Sequence, residues 1–547
     1  MQMKVRNIDN KLKIDIIHSV IIFIISFSIF GIWVQHSFQG NYWGPFLPGD
    51  NFGIPPKESQ IGMYPTSKVG WDAQFYYYQS NDILAQGDEY LHIDNPSYRY
   101  QKIGMPLIAR IVSIMFGQQI TPPFLYHLLQ FLIVAIGFFV LIRWLRRNEI
   151  NQIYAYAWIL SVGVINSLAY GMPDPVGDAF FIMSIIFALS GQLLLYMIVT
   201  TLLLLVREGY ALYAAIIFVL TFLGKIQCEK LDKKKQIILT MIPGIVVVLW
   251  MLYVTYRFGI TPMESTKGMG LTDLPFIGAI KTFILAIKQG SVVNVIFNEF
   301  AVLILCICIY YVIKIRKTSY VWYAVLGYII LISSLGITVW IDYSGYMKAL
   351  GSIIAIVIIG LPYINKKHII TVLSVVIILQ GVIYNYHVKK DLLYVKYEKS
   401  EMIKQISGEK NDKLKEFKSE LLSNKKKVSY QEKNILNRFR REVGEVNVTV
   451  KNNSTENWYA NPEYGVNSIN LSYRIYDKEG KTVLYDGLRK PLTSDILQGQ
   501  SSNFNLQFAV PSDEGEYILR ISMIQEGVAW FNDVEGGGYI DIPLIVS

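Results

Sequence analysis

Charged residues make up only 17% of this 547-residue chain, against 52% hydrophobic. A soluble globular protein carries about a quarter charged residues, so the shortage excludes an ordinary soluble enzyme and points to a polytopic membrane protein. Cysteine is scarcer still. Cys228, Cys306 and Cys308 are the only three, all in or beside apolar runs, which leaves neither a disulfide framework nor a cysteine-rich zinc site. A basic surface suited to nucleic acid is also missing. The net charge of +9 is gathered in short segments flanking apolar runs and in one later stretch, so membrane topology accounts for it. No small-residue cleavage pattern follows the first apolar run, which together with basic Met1 to Lys13 reads as a retained signal anchor.

Long apolar runs are what the chain has in abundance. Segments near the bilayer-crossing length of about twenty residues fall at 14–35, 121–145, 152–169, 176–190, 191–206, 209–223, 236–256, 292–313, 320–340, 349–364 and 368–387, predicting eleven spans. Lys4, Arg6, Lys11 and Lys13 precede the first, Arg143, Arg146 and Arg147 close the second, and Lys225 with Lys233 to Lys235 close the sixth. Short basic loops on one face place the N-terminus in the cytoplasm, and the long first loop (36–120) and the C-terminal region outside. Ile103 to Gly117 is apolar but only about fifteen residues long and carries Arg110, so an interfacial helix is expected there. A crossing at that point would raise the count to twelve and move the C-terminal region inside.

The character changes after the last span. Residues 388–442 carry 16 Lys or Arg and 9 Asp or Glu, with apolar residues such as Leu392, Val395, Ile403, Ile406 and Leu414 at helical intervals, which predicts a charged helical linker. From 443 to 547 the pattern becomes short alternating runs, as in Val446-Asn447-Val448-Thr449-Val450, with a hairpin-turn candidate at Asp477-Lys478-Glu479-Gly480. About seven such strands predict an immunoglobulin-like β-sandwich. The expected architecture is thus a helical membrane domain (1–387), the linker and an all-β domain. Trp458 and Trp530, with Tyr459 and Phe531, are candidates for a sugar-stacking platform or, alternatively, core packing.

Chemistry is then expected from polar residues at the external ends of the helices, where ionisable groups are costly unless they face a cavity or one another. The first loop offers Asp72 and Gln74 within Trp71-Asp72-Ala73-Gln74-Phe75-Tyr76-Tyr77-Tyr78, followed by Asp94, Arg99, Tyr100 and Lys102. Later turns add Asp174 and Asp178, Arg207 and Glu208, and Asp342 and Lys348. A carboxylate can deprotonate an acceptor hydroxyl, and Arg or Lys can stabilise a departing phosphate. Taken singly, each has an ordinary structural explanation: Asp174 or Asp72 as a helix cap, Arg207 and Glu208 as a local ion pair. Their convergence on one side of the membrane favours a site.

Trp71-Asp72-Ala73-Gln74-Phe75-Tyr76-Tyr77, followed by Asp94 to Leu107, resembles the first-loop signature of bacterial GT-C-type membrane glycosyltransferases. The resemblance covers about residues 14 to 390, and Ala73 stands where the Asp-Gly-Gln form has Gly. It implies an inverting transferase in the bacterial cytoplasmic membrane, with a polyprenyl-phosphate-linked sugar as donor and an envelope glycan or glycolipid as acceptor. Asp72 occupies the position of the catalytic base. Arg99, Lys102 and Arg207 are then candidates for the donor phosphate, and Asp174, Glu208 and Asp342 for sugar hydroxyls or a divalent cation, although no obligatory metal is expected. Tyr485 to Leu492 and Gln525 to Phe531 resemble an accessory β-sandwich of bacterial envelope-polysaccharide enzymes, implying a glycan-holding role. The alternatives are a flippase of lipid-linked sugars, which would carry internal repeats and midplane charges, and a non-catalytic glycan-binding scaffold.

Overall fold

The computed structural model describes residues 2–49, 52–66, 70–229, 231–288, 292–364, 381, 411–430, 443–460, 467–484, 487, 489–492, 494–511 and 514–546. The chain divides into two compact units. One comprises Met1–Phe46, Phe75–Gln86 and Asn95–Tyr397, and the other Leu47–Gln74, Gly87–Asp94 and Glu398–Ser547.

The first unit is helical. Among the described residues, Lys11–Phe38, Pro123–Arg147, Lys233–Phe258, Asn298–Ile315 and Ser344–Tyr363 are long and apolar enough to cross a membrane. The pair Gln152–Ile159 and Val162–Ala169, bent by 52° where the chain breaks at Leu160 and Ser161, is apolar enough only when taken together, as a broken span or a re-entrant loop. Five or six is fewer than the eleven expected, because the other runs form helices below bilayer length. Asp174–Leu189 has 16 residues, Leu193–Val206 has 14 and Ala211–Phe222 has 12. The run at 320–340 is interrupted after Val321–Ser333 and resumes as Ile337–Trp340. There Gly336 packs so closely on the chain at Gly270 that an added Cβ would lie 2.0 Å from the Gly270 oxygen. The run at 368–387 lies outside the described residues, apart from 381.

Gly104–Met115 is a 12-residue apolar helix, below bilayer length. Met105 and Ala109 are buried, while Ile114 is 58% and Met115 78% exposed. The Arg110 guanidinium donates to the Gln119 carbonyl at 2.8 Å, satisfying an acceptor just beyond the helix end.

In the second unit the C-terminal residues form two sheets. Strands β1 (Ser419–Ser423), β3 (Val443–Asn452) and β7 (Ser501–Ala509) make one, in the order β1-β3-β7. The other is built from β2 (Val428–Tyr430), β4 (Ile469–Asp477), β5 (Thr482–Leu484), β6 (Lys490–Pro491), β8 (Gly515–Gln525), β9 (Ala529–Trp530) and β10 (Tyr539–Val546). Its main path is β2-β10-β8-β4-β5, with β6 paired to β4 and β9 to β8. The strand period of two turns Val446, Val448 and Val450 inward, where they share one apolar cluster with Leu471, Tyr473, Leu519, Ile521, Phe504 and Leu506 from both sheets. The Asp477 to Gly480 turn is a hairpin. Gly480 sits at φ +81°, its amide donates to the Asp477 carbonyl, and β4 and β5 pair on either side.

The expected helical linker is corrected in part. Within residues 411–430 the chain already forms β1 and β2, and Leu414 is buried in the sheet core, so the sheet region begins well before 443. Residues 388–410 and 431–442 of that linker lie outside the described residues, and within 411–430 strands as short as β2, three residues long, show too little alternation to be read from sequence.

Candidate functional site

Polar side chains from separate segments meet at the ends of the short helices in the first unit. The chain leaves Leu193–Val206 through an extended Arg207 (φ −152°, ψ 115°) and re-enters a helical turn at Glu208–Tyr210. That sharp reversal aims two neighbouring side chains at different partners. Arg207 pairs with Asp174 at 2.5 Å. Asp174 opens the Asp174–Leu189 helix, with Pro175 in its first turn, where the missing proline N–H costs nothing. Glu208 stands 3.6 Å from Lys102 and accepts from the Gln101 side-chain amide at 3.4 Å.

One turn into its helix, Asp178 is buried and accepts from the Tyr210 hydroxyl at 3.0 Å. Tyr210 stacks on Tyr328, with ring centroids 4.7 Å apart, and the Tyr328 hydroxyl bonds Ser352 at 2.8 Å. Gly351 makes room for this carboxylate, since a Cβ there would lie 2.3 Å from Asp178 Oδ2.

The Lys102 ammonium donates to the Tyr98 hydroxyl at 2.6 Å, one helical turn back. Burial disfavours its charge, but the Glu208 carboxylate, with Tyr76 and Tyr98, outweighs burial and holds the pKa above the ordinary lysine value. Lys102 is therefore a permanent cation. Arg99, also buried, lies over a cage of rings, with its guanidinium carbon 4.9 Å from the Phe75 centroid, 5.4 Å from Tyr98 and 5.9 Å from Tyr76. Stacking of this kind orients a guanidinium. Three cations and three carboxylates within residues 99–208 thus gather around the 207–208 reversal and the start of the Asp174–Leu189 helix.

Other expected residues are placed differently. Asp72 lies in the second unit, half-buried at the turn opening the Ala73–Asn81 helix. The backbone before it is tightly determined: Gly70 sits at φ +75°, and a Cβ there would meet the Gly49 nitrogen at 2.5 Å. Gln74 is fully buried and spent on this local fold, accepting from the Gly49 amide at 2.9 Å and donating to the Trp71 carbonyl at 3.0 Å. Tyr100 is a core residue whose hydroxyl donates to the Asp82 carbonyl at 2.8 Å. Asp94 is half-buried in the second unit. Asp342 caps the Tyr343–Gly360 helix, accepting from the Ser344 amide at 2.7 Å. Lys348 is half-buried on that helix, whose backbone at Met347 runs tightly against Gly163.

In the sheets, Trp458 is fully buried with its ring 5.4 Å from that of Phe531, so core packing, the second of its two expected roles, is the one it fills. Trp530 is 7% exposed and lies between the guanidinium groups of Arg474 (4.3 Å) and Arg489 (5.1 Å). With the ring buried and two cations over it, no open stacking surface is left.

Sequence reasoning passed over Tyr98, Gln101, Tyr210, Tyr328 and Ser352. The i−4 spacing of Tyr98 from Lys102 was a usable signal, whereas Tyr328 and Ser352 reach Asp178 only through tertiary packing. Among the described residues, no group of three or more His, Cys, Asp or Glu could hold a metal ion. Comparison with known proteins finds no matching family model, curated protein or solved structure.

Proposed function

We propose that the chain is a GT-C-type, inverting membrane glycosyltransferase that moves a sugar from a polyprenyl-phosphate donor to an envelope glycan or glycolipid on the extracytoplasmic face. The observation that carries this reading is the gathering of Lys102, Asp174, Arg207 and Glu208 from three separate segments at the ends of apolar helices. A lipid-borne phosphate needs cations at that level, and sugar hydroxyls need carboxylates beside them.

In the proposed step the acceptor oxygen attacks the anomeric carbon and the bond from that carbon to the phosphate oxygen breaks. The hydroxyl proton passes to a carboxylate, the role proposed for Asp72, and the charge left on the phosphate is met by basic side chains, the role proposed for Arg207, Lys102 and Arg99. The rigid approach to Asp72 through Gly70 and Gln74 suits a residue that must hold its position.

We read the short and broken helices as crossings around a cavity in a locally thinned bilayer, which together with the apolar run at 368–387, outside the described residues apart from 381, gives the count of eleven. The grouping of residues 47–74 and 87–94 with the C-terminal residues in one compact unit supports an odd number of crossings, because loop and tail then share one side of the membrane. We read the two sheets as an immunoglobulin-like accessory domain.

The test is Asp72→Asn in purified enzyme reconstituted with a panel of polyprenyl-phosphate hexoses and acceptor glycan. Loss of about 10²–10⁴-fold in transfer is expected for a lost general base, and transfer at the normal rate would sink the assignment. The flippase alternative draws on the 52° break between Gln152–Ile159 and Val162–Ala169, since broken helices line transport sites. Movement of a fluorescent lipid-linked sugar across proteoliposomes, undiminished in the Asn variant, would favour it.

A further inference from the structure

Away from the polar cluster, the first helix, Gln2–Phe38, packs along Pro123–Arg147 and leaves an apolar groove of 330 Å³ between them. Its walls include Ile16, Val20 and Phe23 on one side and Leu132, Ile136 and Phe139 on the other. Positions 16, 20 and 23, and 132, 136 and 139, each follow the three- and four-residue spacing of one helical face. Continuing those two stripes toward one end brings Asp15, next to Ile16, and Arg143, one turn past Phe139, to the end of the groove. There the Asp15 carboxylate is fully buried, 2.7 Å from Arg146 Nε and 3.6 Å from Arg143. The Arg143 contact exceeds hydrogen-bond length, and Asp15 Oδ2 has no hydrogen-bond partner among the described residues. Two guanidinium groups against one carboxylate leave the cluster one positive charge in excess, and Arg143 and Arg146 keep 23% and 20% of their side-chain surface exposed.

We propose that this groove and its basic end form a binding site for an anionic glycerophospholipid, the acyl chain lying between Val20 and Ile136 and the phosphodiester meeting Arg143. The apolar walls provide no polar partner for a headgroup, and the excess cation selects charge. Arginine suits the task because its planar fork can serve Asp15 and a phosphate oxygen together. The site is independent of the proposed transfer chemistry.

The experiment is native mass spectrometry of the delipidated full-length protein mixed with phosphatidylglycerol or phosphatidylcholine of identical chains, with inorganic phosphate as a competitor. Phosphatidylglycerol should be retained about fivefold better, the weight of one basic side chain at a charged lipid surface. Arg143→Gln, which leaves Asp15 paired to Arg146 at 2.7 Å and the cluster without an excess charge, should bring its retention down to the phosphatidylcholine level. Val20→Trp, at a position 48% exposed and so tolerant of bulk, should fill the groove and weaken both lipids. Equal retention of the two lipids, indifference to Val20→Trp, or displacement by inorganic phosphate alone would each overturn the proposal.

Discussion

The two units use arginine in opposite ways. In the sheets, Arg474 holds Asp533 through two parallel bonds of 2.8 and 2.9 Å, Arg489 holds Glu526 at 2.7 Å, and both cover the faces of Trp530. Each cation there has its own carboxylate, and the ring between them excludes water. In the helical unit, Arg207 pairs with Asp174 and Lys102 with Glu208, Asp178 accepts from the Tyr210 hydroxyl, and the second oxygen of Glu208 has no hydrogen-bond partner among the described residues. Both oxygens of Asp533 are engaged by one guanidinium, whereas Glu208 keeps one oxygen unengaged. Burial of an Arg–carboxylate pair does not by itself mark a site.

Removing one arginine from each network should break the comparison most visibly. Arg207→Ala is expected to lower sugar transfer by about 10²–10³-fold, the scale of losing one charge-stabilising donor, with little change in thermal unfolding of the sheet unit. Retained activity would remove Arg207 from the site. Arg474→Ala should do the reverse, costing about 1–3 kcal/mol of stability through the orphaned Asp533 and the uncovered Trp530, in line with a lost charge-assisted bond. Differential scanning fluorimetry of the full-length protein reads this, and an unchanged unfolding temperature would count against a structural role.

The smallest expected effect is a pH dependence in the second unit. Burial lowers the His92 pKa from 6.5 to about 4, with the nearby Arg489 adding to the effect and a 2.7 Å bond from His92 Nδ1 to the Phe52 carbonyl opposing it. Between those values the unfolded chain takes up a proton that the folded one refuses, so stability falls as pH drops from about 6.5 to about 4. His92→Gln should flatten that part of the stability profile; an unchanged slope would assign it to other groups.

Much of the fold was legible because its signals are local. Apolar run length located the helices of Lys11–Phe38, Pro123–Arg147 and Lys233–Phe258, and alternation located β3, β4 and β8. It failed where length and local composition diverge, as at 320–340, broken by Gly336 against Gly270, and at 411–430, where brief strands sit in a charged stretch. For the site, the residue types and the segments 99–102, 174–178 and 207–208 were readable, since ionisable groups at the ends of apolar helices are costly. Their pairings were not, and neither was the local structural use of Gln74, Tyr100 and Asp342.

By itself, then, the sequence determined that this chain has membrane-length apolar helices, a C-terminal region of strands, and a short inventory of charges that must be accounted for. Hydropathy and period depend on neighbours along the chain, so they survive without knowledge of packing. Tertiary structure alone decided that Lys102 meets Glu208 across 106 positions, that Arg207 turns to Asp174, and that Trp458 faces inward. The physical reason is that a charge in a low-dielectric interior is stabilised by whichever partner packing brings within a few ångströms, and sequence distance places no limit on that choice.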